Sequence, residues 1–246
     1  MNVNGINENI NQQYDVISPG NVLKSFKPLI SEVCELILAY RQMVPVIPEL
    51  CLPTATKEIA FTPILFQAAN NIRIKNANSF WPVSEVTVLR KSLKAKGRID
   101  LGLFSKRHIS LIECKVTRVK VKSKDIASVR SAMENAEKQL LDVNLKNLFF
   151  KTTDEQLRNY RKHNKLVSIV TANITTDVNN NKADKQFFSK LQQVRNEYPS
   201  YMIAWVKYEP HRINQKNDGS LLPNERTLRS IGQIMVIREV FGNKWG

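Results

Sequence analysis

A chain of 246 residues is long enough for one large domain, and a hydrophobic content of 42% allows a sizeable core. The formal charge of +15, from 37 Lys and Arg against 22 Asp and Glu, points to a polyanionic partner, and nucleic acid is the commonest one for a soluble chain. Three scattered cysteines, Cys34, Cys51 and Cys114, exclude a disulfide framework and a cysteine-ligated zinc site.

No apolar run reaches the ~18 residues of a membrane-spanning helix, and the start of the chain lacks the basic-then-apolar order of a signal peptide. The expectation is a cytoplasmic protein with no membrane partner. Residues 1–20 read as a loose, Asn-rich arm closed by Pro19-Gly20, and residues 21–246 as a single domain. Phe26, Leu29, Ile30, Val33, Cys34, Ile37 and Leu38 recur at helical spacing, which predicts an amphipathic helix from about Val22 to Gln42. Pro45, Pro48 and Pro53 interrupt the pattern. A second helix is predicted to start near Thr54–Thr56, which supply caps, with Pro63 as an early-turn residue or a kink.

From Ser84 the period changes to that of strands. Val86 to Leu89 is followed by the basic stretch Arg90 to Lys96, then by Gly97 to Phe104 and His108 to Val116. Ile126, Val129, Met133, Ala136, Leu140 and Val143 share one stripe and predict a helix. Leu166 to Thr171 reads as a buried strand and Phe187 to Tyr198 as a helix ended by Pro199. Tyr201 to Tyr208 and Gly232 to Val240 read as the last strands. Asn179 to Asp184 and Pro210 to Glu225 read as surface loops. The order predicts an α/β fold, a mixed central sheet flanked by helices on both faces.

The chemistry concentrates in one hairpin. The four-residue connection Ser105 to His108 sets Phe104 opposite Ile109 and, counting outwards, Asp100 opposite Glu113. Side chains so opposed have Cβ atoms about 5 Å apart on one sheet face. Alternation then puts Lys115 on the face of Glu113, and turns Cys114 towards an apolar layer with Ile99, Leu101 and Ile112. Two carboxylates among apolar strands repel unless a cation lies between them. Hard oxygen ligands favour Mg²⁺, with Mn²⁺ as a substitute, and Lys115 adds a positive charge beside the ion. These are the requirements of phosphodiester hydrolysis.

Asp100, twelve residues, then Glu113-Cys114-Lys115 on strands resembles the PD-(D/E)xK nuclease superfamily, whose core of helix, three-stranded meander, helix and strand has the order read from Lys57 to Thr171. The residue before Asp100 is Ile99 rather than the proline of the family name. The resemblance implies a restriction-endonuclease-like core, with Asp100 and Glu113 binding Mg²⁺, a metal bond from the Cys114 carbonyl and Lys115 as the catalytic lysine. It further implies a glutamate in the preceding helix, Glu58 or else Glu85, and a glutamine in the following one, Gln139. It also implies a DNA endonuclease leaving 5′-phosphate and 3′-hydroxyl ends, in restriction or phage defence, with a homodimer or a partner protein as company. Two alternatives stand beside it: a structure-specific or transposon-type endonuclease subunit of a larger complex, and an inactive nucleic-acid-binding protein.

Lys94, Lys96 and Arg98, with Arg118, Lys120, Lys122 and Lys124, are the expected contacts to phosphates. Trp81, between Phe80 and Pro82, is read either as packing a loop or as stacking on a base. His108, His163 and His211 have no ligand spacing, and no glycine-rich phosphate loop occurs.

Overall fold

The apolar stripes of the sequence become the two sides of one sheet. The computed structural model describes residues 13–20, 23–43, 58–76, 80–92, 96–105, 109–144, 165–176, 183–212 and 229–240. The described strands are β1 (Tyr14–Ile17), β2 (Trp81–Leu89), β3 (Lys96–Phe104), β4 (Ile109–Lys120), β5 (Lys165–Thr176), β6 (Met202–Arg212) and β7 (Arg229–Glu239). They pair in the order β1-β6-β7-β5-β4-β3-β2. Only β4 and β5 run parallel within it, and the other neighbours are antiparallel. A parallel pair needs a long crossover, and helix α3 (Ala127–Leu141) supplies it.

Helices α1 (Lys27–Met43) and α2 (Glu58–Lys75) cover one face of the sheet, and α3 and α4 (Ala183–Glu197) cover the other. The expected mixed α/β sheet with helices on both faces is therefore what forms. On the first face Ile30, Val33 and Ile37 of α1 and Phe61, Ile64 and Leu65 of α2 pack on Leu101, Ile112, Cys114, Ile169 and Ile237. On the second face Val129 and Met133 of α3 and Phe187, Leu191 and Val194 of α4 pack on Val170, Ala172, Ile234 and Val236. Leu140, at the far end of α3, joins Val86, Val88, Ile99, Leu111 and Leu166 in a third cluster on that face. No helix among the described residues is long and apolar enough to cross a membrane.

The expected loops give up Ala183–Asp184 to α4 and Pro210–Arg212 to β6, and further elements differ from the sequence reading. Tyr14–Ile17, expected within a loose arm, pairs with Val206–Ile203 of β6 as a short edge strand. Four residues are too few to show a period in sequence. Helix α2 carries Pro63 in its second turn with the ring exposed, and the caps expected at Thr54–Thr56 lie outside the described residues. Strand β2 begins at Trp81 rather than Ser84 and includes Pro82, which an edge strand tolerates.

The largest departure concerns Ile99. Strict alternation groups Ile99 with Leu101 and Leu103, yet Leu101 and Leu103 pack on the α1/α2 side and Ile99 on the α3 side. Strand β3 thus reverses its facing at Asp100. Its neighbour β2 does the same: Ser84 pairs with Leu101 and Val86 with Ile99, while Glu85 between them has φ of 56°. A left-handed conformation costs a non-glycine residue about 1–2 kcal/mol. That strain turns Val86 towards Leu140, in step with Ile99.

Elsewhere the sheet is closed tightly. A Cβ at Gly232 would lie 2.4 Å from Phe187 Cε2 and 2.6 Å from the Val206 carbonyl oxygen, which belongs to the paired strand and cannot retreat. Gly232→Ala should therefore destabilise by about 1–3 kcal/mol. At about 2–4 °C per kcal/mol for a chain of this size, the midpoint of thermal unfolding falls by several degrees. An unchanged midpoint in calorimetry would show that β6, β7 and α4 do not meet this closely.

Candidate functional site

The expected hairpin register forms, with Phe104 opposite Ile109 and Leu101 opposite Ile112. Among the described strands that ladder ends there, one residue short of Asp100 and Glu113. Beyond it, β3 continues along β2 as far as Lys96 paired with Leu89, and β4 continues along β5 as far as Lys120 paired with Thr175. The two strands therefore part like a fork, with Asp100 and Glu113 at its apex. The Cys114 N–H, which a continued ladder would bond to a β3 carbonyl, donates instead to Asp100 Oδ2 at 2.7 Å.

Glu113 and Lys115 sit on the α3 side, because Ile112, Cys114 and Val116 pack on the other. Lys115 Nζ donates to Glu113 Oε1 at 2.8 Å, and their side chains are 16% and 5% exposed. Asp100 is half-buried. In register with Glu113 across the sheet come Ser168 and then Arg238. Ser168 Oγ lies 3.1 Å from Met133 Sδ, and Arg238 forms a 2.6 Å ion pair with Glu137 of α3. This row escaped the sequence reading. Its one signal is the charged Arg238-Glu239 closing an apolar strand; its place beside Glu113 depends on two strand registers.

The remaining expected residues fall as follows. Cys114 is fully buried in the α1/α2 cluster with its thiol turned from the apex, so a carbonyl is the atom it could offer a cation. Glu58 is the first residue of α2, and its side chain lies outside the described part. Its substitute Glu85 is exposed on β2 and pairs with Arg98 at 2.7 Å. Gln139 is exposed on α3, and its backbone carbonyl accepts a hydrogen bond from Arg90 Nη1.

Lys96 and Arg98 are exposed on the β3 arm of the fork, Arg118 and Lys120 on the β4 arm, and Lys122 and Lys124 in the turn that follows. Lys94, His108, His163 and the loop lysines near them lie outside the described residues. Arg118 and Lys120 have the opposite parity to Glu113 and Lys115. They therefore leave β4 on the α1/α2 side and share the fork, not the sheet face, with the acidic pair. Lys190 of α4, buried and with its ammonium pushed below the usual lysine range by that burial, donates to the Ser123 carbonyl. Gln193 Nε2 donates to the Lys124 carbonyl at 2.9 Å. Both brace the basic turn.

Two carboxylates and a main-chain carbonyl are hard oxygen donors, a set that fits Mg²⁺ or Mn²⁺ with waters and phosphate oxygens completing the shell. Among the described residues no group of three or more His, Cys, Asp or Glu side chains gathers to hold an ion. Asp100, Glu113 and the Cys114 carbonyl would therefore be a partial cage, the kind Mg²⁺ shares with its substrate.

A buried ion pair is costly to break from one side only, about 3–5 kcal/mol, because the remaining charge loses its partner. Glu113→Gln should lower stability in denaturant titrations by that order, whereas Glu113→Gln combined with Lys115→Met should regain most of the loss. A double variant as unstable as the sum of the singles would sever the proposed coupling. No protein-family model, curated protein or solved structure matches the chain, so its functional reading rests on the residues themselves.

Proposed function

We propose that the protein is a Mg²⁺-dependent endonuclease that hydrolyses DNA phosphodiester bonds, built on a restriction-endonuclease-like core. The observation that carries this reading is the fork apex: β3 and β4 part at the level of Asp100 and Glu113, Asp100 accepts from the Cys114 N–H, Lys115 pairs with Glu113, and basic residues line both arms. The run of α2, the antiparallel meander β2-β3-β4, α3 and the parallel strand β5 agrees with the core order of the PD-(D/E)xK superfamily.

In this reading Asp100 and Glu113 hold the ion, joined by the Cys114 carbonyl. The ion supplies a water of lowered pKa and neutralises charge on the phosphate. Asp100 keeps its orientation through the Cys114 N–H. Lys115 donates to Glu113, which holds its amine beside the carboxylates. From there it orients the attacking water and stabilises the charge that builds on the phosphate oxygens as the P–O3′ bond breaks. Lys96, Arg98, Arg118, Lys120, Lys122 and Lys124 bind the neighbouring phosphates, so affinity should fall steeply with salt.

Supercoiled plasmid incubated with Mg²⁺ is expected to be nicked or linearised by the wild type, and not when a chelator replaces the metal. Asp100→Ala and Lys115→Ala should each lose about 10²–10³-fold or more in rate. Equal rates for all three proteins, or cleavage that survives chelation, would refute the assignment. DNA binding without cleavage under every metal condition would mark an inactive binding protein instead.

A further inference from the structure

Among the described residues Trp81 is the exposed aromatic that no packing role explains. It lies at the start of edge strand β2 and is 65% exposed, with Val83 two residues along the same strand at 44%. Large apolar side chains gathered on a surface mark a binding site more often than chance. The Arg73 guanidinium lies 4.3 Å from the centre of the Trp81 ring. That contact lays a positive charge over one face of the indole, while the residue stays 65% exposed. Elsewhere on the described surface Lys207 and Arg238 also approach rings, but Phe188, Tyr198 and Tyr201 beneath them are half-buried or buried between elements.

We infer that Trp81 and Arg73 form a stacking platform for an unpaired base of single-stranded nucleic acid, at the closed end of the hairpin on the far side of the apex from the basic arms. Indole faces stack on any base, and a neighbouring guanidinium meets the phosphate that follows. The charge of +15 favours a polyanion over a second copy of the same basic chain. Position along the strands adds to this. Trp81 pairs with Phe104 and Ser84 with Leu101, so the platform stands four residues along β2 from the level of Asp100. At ~3.3 Å per residue this is about 13 Å, the span of roughly four stacked nucleotides at ~3.4 Å each. A strand seated on Trp81 thus reaches the apex. The choice of partner rests on the nuclease reading; the platform itself rests on exposure and charge.

The test is binding in chelator, where no cleavage interferes. With Trp245 replaced by Phe in both proteins and Trp205 buried, tryptophan emission should be quenched by a short oligothymidylate, and Trp81→Phe should lose that quench. Affinity for a labelled oligothymidylate should fall about tenfold in Trp81→Ala and within about threefold in Trp81→Phe. A blunt duplex should bind wild type and Trp81→Ala alike. Because Trp81 is exposed, unchanged circular dichroism of both variants is expected. Equal single-strand affinity of Trp81→Ala and wild type would overturn the platform. So would a dimer in light scattering that dissociates on Trp81→Ala, since the ring would then serve a second copy. If plasmid cleavage is absent but this quench is present, the nuclease assignment alone fails. The reverse result removes the platform and leaves the nuclease.

Discussion

The hydrogen bond from the Cys114 N–H to Asp100 Oδ2 decides how far β3 and β4 zip together. With a main-chain carbonyl as acceptor the ladder would pass through Asp100 and Glu113, and both carboxylates would face each other about 5 Å apart in closed sheet. With a side chain as acceptor the N–H is satisfied, and β3 is released to follow β2 alone. Release permits the reversal that sends Ile99 to Leu140 and Val88 on the α3 side. From Glu113 onward the described strand partner of β4 is then β5. One side-chain acceptor thus sets the shape of the fork, the packing of α3 and the exposure of both basic arms.

Departures from ordinary strand behaviour collect at this same level of the sheet. Glu85 has a left-handed backbone, β2 and β3 both reverse their facing, the β3–β4 ladder ends, and a lysine and a glutamate share a nearly buried ion pair. Each costs free energy in isolation. They persist because the surroundings are strongly determined: Leu101, Ile112 and Cys114 are buried under α2, and Val86, Ile99 and Leu140 under the end of α3. Register shifts also occur between β5 and β7 and between β6 and β7, but the departures at this level coincide with the proposed site.

The sequence shows much of this, for a definable reason. The hairpin register follows from a loop length and a period of two, so the level of Asp100 and Glu113 and the direction of Cys114 are legible. The stripe of α3 and the apolar run of β5 are long enough to read. The facing of Ile99 is not legible, because alternation assumes a regular strand and the irregularity lies in Glu85, on another strand. The row through Ser168 and Arg238 depends on a parallel crossover whose register no local pattern encodes. Strand β1 is too short to announce itself, and its apolar residues gain meaning only against β6. Arg118 and Lys120 were legible as basic strand residues, yet their parity to Glu113 puts them on the other side of the sheet.

Both arms of the fork are braced by helices before any substrate arrives. On the β3 side, Arg90 donates to the Gln139 carbonyl and, through Nη2, to the Arg98 carbonyl at 2.8 Å. Ser92 holds Asp142 through its hydroxyl at 2.7 Å and its N–H at 2.9 Å, keeping that carboxyl below the usual range. On the β4 side, Lys190 and Gln193 grip the carbonyls of Ser123 and Lys124. The main chain carrying the basic residues is therefore fixed, and only their long side chains lose freedom on binding. The Arg98–Glu85 pair is exposed at 72% and 54%, so it contributes little and a phosphate can replace the carboxylate at small cost. Arms held in this way stand at a fixed distance from the apex, and on the proposed nuclease reading that distance would position a phosphodiester against Asp100, Glu113 and Lys115.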